Sequence, residues 1–259
     1  MRIAAAQVAP ASTREDVLST AHKLASAASA AGANLLVLPQ RFLAGTAESE
    51  SAIATAAEPS DGPGPSAMRA LAAELGIAMV YGYVERCTGI DYDSLQLVDG
   101  AGTALANYRR AHLDRHAERE RFGRGQWLSC MPLAGRRLGL LSGYDLEFPE
   151  AARALCLIGC DFLAVAGASG VEPERVRLLL AARAAENHCA LAYASADPAV
   201  PAMVLDRTGR ALARVASGTP LITADLGEPP PPAPALRDRR PRLYHRITAV
   251  TPADADTPL

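Results

Sequence analysis

In "LLSGYDLEFPE" (residues 140–150) an apolar run reaches a corner at Ser142–Gly143 and then a helix start marked by Pro149. Corners of this kind commonly carry a nucleophile, because the turn lifts one side chain clear of the sheet. Here the corner residue Gly143 has no side chain. Ser142, one residue earlier, should point to the opposite face of its strand. The cysteines lie elsewhere. Cys130 precedes Pro132, outside the corner, and Cys189 opens a run that reads as a buried strand, so both are expected to be packing residues. Cys156 and Cys160, four apart at a helix end, have the spacing of a metal pair, but small residues packed on a sheet are the better reading. Asp145 and Glu147 stand just before Pro149, where carboxylates cap free N–H groups and meet the positive end of a helix dipole.

The elements that must hold this corner alternate along the chain. "IAAAQV" (residues 3–8) reads as a strand within a longer run from Arg2. Ser12 and Glu15 then have capping-box spacing, and Val17, Ala21, Leu24 and Ala28 form one helical face that stops at Gly32. "NLLVLP" is a continuously apolar run of the kind covered on both faces. A helix is expected from about Ser66 to Gly76, then the strand "IAMVYGYVE" and a hairpin turning at residues 99–102. After a polar loop come the strand "RRLGLLSG", a helix from Pro149 to Ile158 and the strand "DFLAVAG". A helix opened by Glu172 and Pro173 runs to Asn187, and "CALAYAS", "PAMVLD" and "ALARVA" read as three closing strands. The order implies α/β layers with helices outside. The Pro-rich "GEPPPPAPALRDRRPRLY" is expected to be extended and to cross the surface or a neighbouring subunit.

A chain of 259 residues suits one domain, here residues 1–259 with a C-terminal extension from about residue 227. The net charge of −2 argues against nucleic acid or an anionic membrane as partner. No apolar run is long enough to span a bilayer and the chain opens directly on a strand, so a cytoplasmic protein with reduced cysteines is expected. Nothing calls for a cofactor or a metal.

Several segments together resemble the carbon–nitrogen hydrolase (nitrilase) superfamily: "RIAAAQVAP", "GANLLVLPQRFLAG", "YDSLQLVDGAG", "NYRRAHL", "ERERFGRGQ", "LGLLSGYDLEFPE", "AARAAENHCALAYAS" and "RRPRLY". Eight segments in order cover nearly the whole chain. The resemblance implies a four-layer α-β-β-α sandwich, pairing of two copies through a helical face, and chemistry by Cys, Glu and Lys. A thiolate attacks the C–N carbon, a carboxylate moves protons, and an ammonium steadies the oxyanion. The three matching positions here hold Gly143, Gln40 and Arg110. Gln40 keeps the shape of Glu but is no base at neutral pH. Arg110 keeps the charge but does not give up a proton. Gly143 offers no nucleophile.

Around this altered set the resemblance places Glu118 as a pocket carboxylate, His112 two residues after Arg110, and Tyr144 beside the corner. Gln40, Arg110, Glu118, Gly143 and Tyr144 are therefore expected to line a ligand site. Gln40, Arg110, Glu118 and His112 are the groups available for any residual catalysis. Arg183 and Glu186, in "RAAEN" with Asn187, are expected to tie a long helix to the corner. Exchanging a carboxylate and an ammonium for an amide and a guanidinium adds one positive unit, so a carboxylate-bearing ligand is expected. Three functional classes follow: a small-molecule-binding or regulatory pseudoenzyme; a repurposed enzyme for cyclisation, condensation or proton transfer in a bacterial biosynthetic pathway; and, third, an amidase or nitrilase with a relocated nucleophile.

Overall fold

The computed structural model describes residues 1–47, 49–114, 116–168, 172–216, 218–229, 231 and 233–248. The chain begins with β1 (Arg2–Ala6) and the helix α1 (Arg14–Ala30). Thr13, not Ser12, caps α1, its hydroxyl accepting from Asp16 N at 3.1 Å. Two adjacent hydroxyls, each three residues before a carboxylate, offered the same signal, and the backbone took the second. β2 (Leu35–Val37) follows, then α2 (Glu50–Ala56) and α3 (Pro63–Leu75). α3 starts three residues earlier than expected, because Pro63 sits in its first turn, where a missing N–H costs nothing.

β3 (Ala78–Cys87), β4 (Ile90–Val98) and β5 (Ala104–Arg109) form a meander and lead to α4 (His116–Arg121). The second half runs through β6 (Cys130–Leu133), β7 (Arg136–Ser142), α5 (Pro149–Leu157), β8 (Phe162–Ala166), α6 (Pro173–Asn187), β9 (Ala190–Ala194), β10 (Met203–Leu205), β11 (Ala211–Arg214) and β12 (Leu221–Asp225), ending in the short α7 (Pro234–Arg237).

These strands make two six-stranded mixed sheets, ordered β12-β1-β2-β3-β4-β5 and β11-β10-β9-β8-β7-β6. In each sheet three parallel strands, β1-β2-β3 and β7-β8-β9, carry the antiparallel ones on their flanks. Strand alternation sorts the side chains into layers. Ile3, Ala5, Leu35 and Val37 meet Leu138, Leu140, Phe162 and Ala164 between the sheets. Ala4, Ala6, Leu36 and Leu38 pack instead on Val17, Ala21, Leu24 and Ala28 of α1 and Met68 and Ala72 of α3. Leu141, Leu163 and Val165 pack on Leu155 of α5 and Leu180 of α6. The result is the expected α-β-β-α sandwich.

The extension crosses the chain's own surface. Ala233 is buried and Leu236 packs on the outer core beside α5. Ala235, Tyr244 and Ile247 face Pro149, Ala154 and Leu157 of α5 across a groove. The last part of the extension, residues 249–259, lies outside the described residues. Among the described residues no helix is long and apolar enough to cross a membrane.

The cysteines correct one expectation. Cys130 of β6 and Cys160, just before β8, are joined as a disulfide, while Cys87, Cys156 and Cys189 are free. Cys156 and Cys160 both pack in the outer core, as the packing reading of their spacing has it. The sheet brings edge strand β6 against the turn after α5, and the Cys189 thiol donates to Arg183 O at 4.0 Å. Among the described residues no group of three or more His, Cys, Asp or Glu is arranged to hold a metal ion.

Candidate functional site

The two sheets each contribute to one cavity at the ends of their strands. From the first sheet comes Gln40, three residues beyond β2. Its backbone crosses β3 at Gly82, where a Cβ would strike the Arg41 nitrogen and come within 2.7 Å of Pro39 O. Only glycine admits that crossing. Arg41, next in the chain, takes the left-handed conformation, with φ 49°. From the second sheet comes Gly143, which also has a positive φ of 49° and opens a 3-10 turn spanning Gly143–Glu147.

Gln40 and Gly143 meet directly. A Cβ at position 143 would lie 2.5 Å from Gln40 Oε1, closer than real side chains approach. The amide therefore occupies the room in which a side chain at the corner would begin. Gln40 Nε2 donates to Asp93 Oδ2.

Asp93 was not singled out from the sequence. It lies on β4 two residues before Leu95, which points between the sheets, so its carboxylate shares that face. It is 1% exposed. A charged residue at a core-facing strand position was the available signal. Two guanidiniums approach its Oδ2: Arg110 Nη2 at 3.4 Å and Arg41 Nε at 3.7 Å. Arg110 N also donates to Asp93 O at 2.8 Å, which locks the end of β5 to β4.

Arg110 is 3% exposed and donates from Nη2 to Glu118 Oε2 at 2.8 Å. Burial disfavours its charge, but Asp93, Glu118 and Asp145 outweigh that, and its pKa stands above the ordinary guanidinium value. The expected surplus of positive charge is therefore offset: Asp93 and Glu118 both face the arginine.

The cavity is about 460 Å³ and is lined by Arg110, Glu118, Gly143 and Tyr144, all expected there, and by Arg41, which was not. Gln40, also expected on that wall, does not line this cavity, because its amide is drawn toward Asp93 and lies against Gly143; with Arg41 it lines a smaller adjoining space of about 240 Å³. Among the described lining residues are four carboxylates (Asp114, Glu118, Glu147, Glu172) and three guanidiniums (Arg41, Arg110, Arg175). Arg175 is held by both oxygens of Glu147.

His112 is placed differently. Its Nδ1 lies 2.9 Å from Asp145 Oδ1, its backbone N donates to the same oxygen at 3.1 Å, and its ring stacks on Phe148 with centroids 3.7 Å apart. It is not among the residues lining the cavity. Asp145 keeps the expected capping role but serves the 3-10 turn. Instead of capping α5, it accepts from Ser142 N at 3.1 Å and from Tyr108 Oη at 2.6 Å, closing the corner and bridging the two sheets. Burial first, then the neighbouring Asp145 carboxylate, pushes the Tyr108 hydroxyl well above its usual pKa. Ser142 is fully buried and absent from the cavity wall. Arg183 of α6 donates to Leu146 O at 3.0 Å and Glu147 O at 3.3 Å, with Glu186 holding its other side at 3.0 Å. The long helix thereby supports the turn that carries Gly143.

Comparison with known proteins agrees with this architecture. Residues 2–227 match the family model described as Carbon-nitrogen hydrolase. A Pseudomonas protegens protein called hydrolase in pqqF 5'region is 35% identical over 238 residues, 85% of this chain and 82% of that one. An (R)-stereoselective amidase from a Pseudomonas species is 34% identical over 165 residues, 63% of this chain and 59% of its own. A mutant of the amidase from Nesterenkonia sp. AN1, solved with acrylamide joined by Michael addition to its active-site cysteine, superposes with a TM-score of 0.81. It is 29% identical and covers 95% of this chain and 99% of that one. The chain belongs to the carbon–nitrogen hydrolase family.

Proposed function

We propose that this member of the family binds a small molecule in the Gly143 cavity without hydrolysing it, acting as a binding or regulatory protein. One observation carries the reading: the corner residue on the cavity wall is Gly143, which has no side chain to act as a nucleophile. The similar Nesterenkonia amidase has an active-site cysteine, whereas among the described residues no cysteine or serine lines this cavity. Gln40 supplies no base at neutral pH, and Arg110, its pKa raised further, holds its proton. The test is ammonia release by purified protein from a panel of aliphatic and aromatic amides and nitriles. No release above the buffer rate is expected; steady turnover that is abolished by a thiol-blocking reagent would overturn the reading.

A second reading, a non-hydrolytic reaction such as cyclisation, condensation or proton transfer, is favoured by Glu118, a carboxylate on the cavity wall that pairs with Arg110 at 2.8 Å. A carboxylate on the wall can accept a proton from a bound molecule. Conversion of a biosynthetic intermediate by the wild type, lost in Glu118→Gln, would select it. Pairing of two copies through a helical face belongs to the first reading and is supported by Leu157 on α5, Ile158 just beyond it and Leu178 on α6, which are 45, 54 and 70% exposed. Sedimentation as a monomer at micromolar concentration would remove it.

A further inference from the structure

Four of the five cysteines gather on the outer side of the second sheet. Cys156, Cys160 and Cys189 belong to the core layer that α5 and α6 cover, and Cys130 packs against it. Two of the four, Cys130 and Cys160, are joined, and the bond ties β6 to the turn between α5 and β8. β6 is an edge strand of four residues, Cys130–Leu133, at the end of its sheet beside β7. Pro132 gives that short ladder no N–H. The disulfide spans a sequence separation of 30 residues and holds the open end of the β6–β7 hairpin.

The two sulfurs differ in their surroundings. Cys160 is 5% exposed, whereas Cys130 is half-buried. Arg137 of β7 donates from Nη2 to Cys130 Sγ at 3.6 Å and to Ile158 O at 3.2 Å. The second contact fixes the guanidinium at the end of α5. Gly159 makes room for it, since a Cβ there would come within 3.1 Å of Arg137 Nε. Arg137 is itself exposed. A fixed cation beside a reachable sulfur draws in an attacking thiolate and stabilises the thiolate that leaves. Such surroundings suit a labile disulfide better than a permanent staple.

We propose that Cys130–Cys160 is a reversible redox clasp, opened by a dithiol reductant, that fastens edge strand β6 to the second sheet. One thiolate of the reductant attacks Cys130 Sγ, the S–S bond breaks, and Cys160 leaves and takes up a proton. The reductant's second thiolate then attacks its own sulfur in the mixed disulfide, and Cys130 leaves as a thiolate beside Arg137 Nη2. Two electrons pass from the dithiol, which becomes a disulfide, to the two cysteines, which end as thiols. With the clasp open, β6 rests on its four-pair ladder and on Met131 and Leu133 against the core between the sheets. The clasp is separate from the Gly143 cavity, whose lining residues do not include Cys130, Arg137 or Cys160.

Dithiothreitol added to the native full-length protein tests this, with alkylation and peptide mass spectrometry to follow free Cys130 and Cys160 and amide hydrogen exchange before and after. The bond should open without denaturant. Peptides covering β6 should then exchange tenfold or more faster, those covering β8 and β9 should be unchanged, and oxidised glutathione should restore the slow exchange. Arg137→Met should slow opening threefold or more, and Arg137→Lys, which keeps the charge, should fall between it and the wild type. Cys130→Ser should show the fast β6 exchange with no reductant present; should it fail to fold, the wild-type measurement decides alone. Opening only in denaturant, β6 exchange unchanged by opening, protection lost throughout β8 and β9, or an Arg137→Met rate equal to that of the wild type would each overturn the clasp.

Discussion

Arg110 Nη2 donates to Glu118 Oε2 at 2.8 Å, and this contact joins the end of β5 to α4 across the cavity wall. Glu118 also accepts from Asp114 N at 3.2 Å, so one carboxylate organises the whole segment after the second hairpin. Glu118→Gln keeps the shape and removes the charge. It should cost about 1.5–3 kcal/mol, the range for a hydrogen bond to a charged group, read as a lower urea midpoint with unchanged slope. An unchanged midpoint would mean that Asp93 alone satisfies the arginine.

Gly143→Cys places a thiol at the corner yet should not produce hydrolysis. A residue with a Cβ at φ 49° costs about 1–2 kcal/mol, and the new Cβ meets Gln40 Oε1. The expected outcome is a less stable protein that still releases no ammonia, because no base stands at position 40. Thermal melting and an ammonia assay on the same preparation check both halves.

His112→Ala separates positioning from chemistry. The change removes the Nδ1 contact to Asp145 and the stack on Phe148, and should destabilise by about 1–3 kcal/mol. Affinity for any small molecule the wild type binds should not change, since His112 does not line the cavity. Lost affinity at full stability would return His112 to the site.

Glu85 gives a pH signature away from the cavity. Burial pushes its pKa up, but bonds from Arg109, Ser94 and Asn107 and the charge of Arg109 outweigh burial, and the carboxyl lies below its ordinary value. A depressed folded-state pKa stabilises the protein fully above the unfolded carboxylate's value, about 4.3, and less as pH falls through the folded one. Glu85→Gln should therefore melt well below wild type at neutral pH, and the gap should narrow as pH falls below about 4. A gap independent of pH would show that packing, not ionisation, is what Glu85 contributes.

Much of the fold was legible because its signals are local. Helices stop where Gly32, Gly76 and Gly159 accept positive φ, and a glycine does that whatever surrounds it. Continuous apolar runs such as Leu35–Val37 and Phe162–Ala166 are strands that both neighbouring layers bury. The edge strands β6 and β12 and the short helices α2 and α4 escaped the reading. Such elements exist by virtue of the partner they touch, and their own residues carry little periodicity.

The sequence by itself determined which groups stand at three positions: an amide at 40, a guanidinium at 110 and no side chain at 143. Side-chain chemistry is intrinsic, so what those positions are unable to do followed at once. Only the tertiary structure decided what surrounds them. Asp93 lies 53 residues from Gln40 along the chain, and the two meet because β2, β3 and β4 are ordered side by side in one sheet. That pairing turned an expected cationic cleft into one whose buried arginine is answered by two carboxylates. Charge balance in a site is a sum over neighbours in space, and neighbours in space are set by strand order.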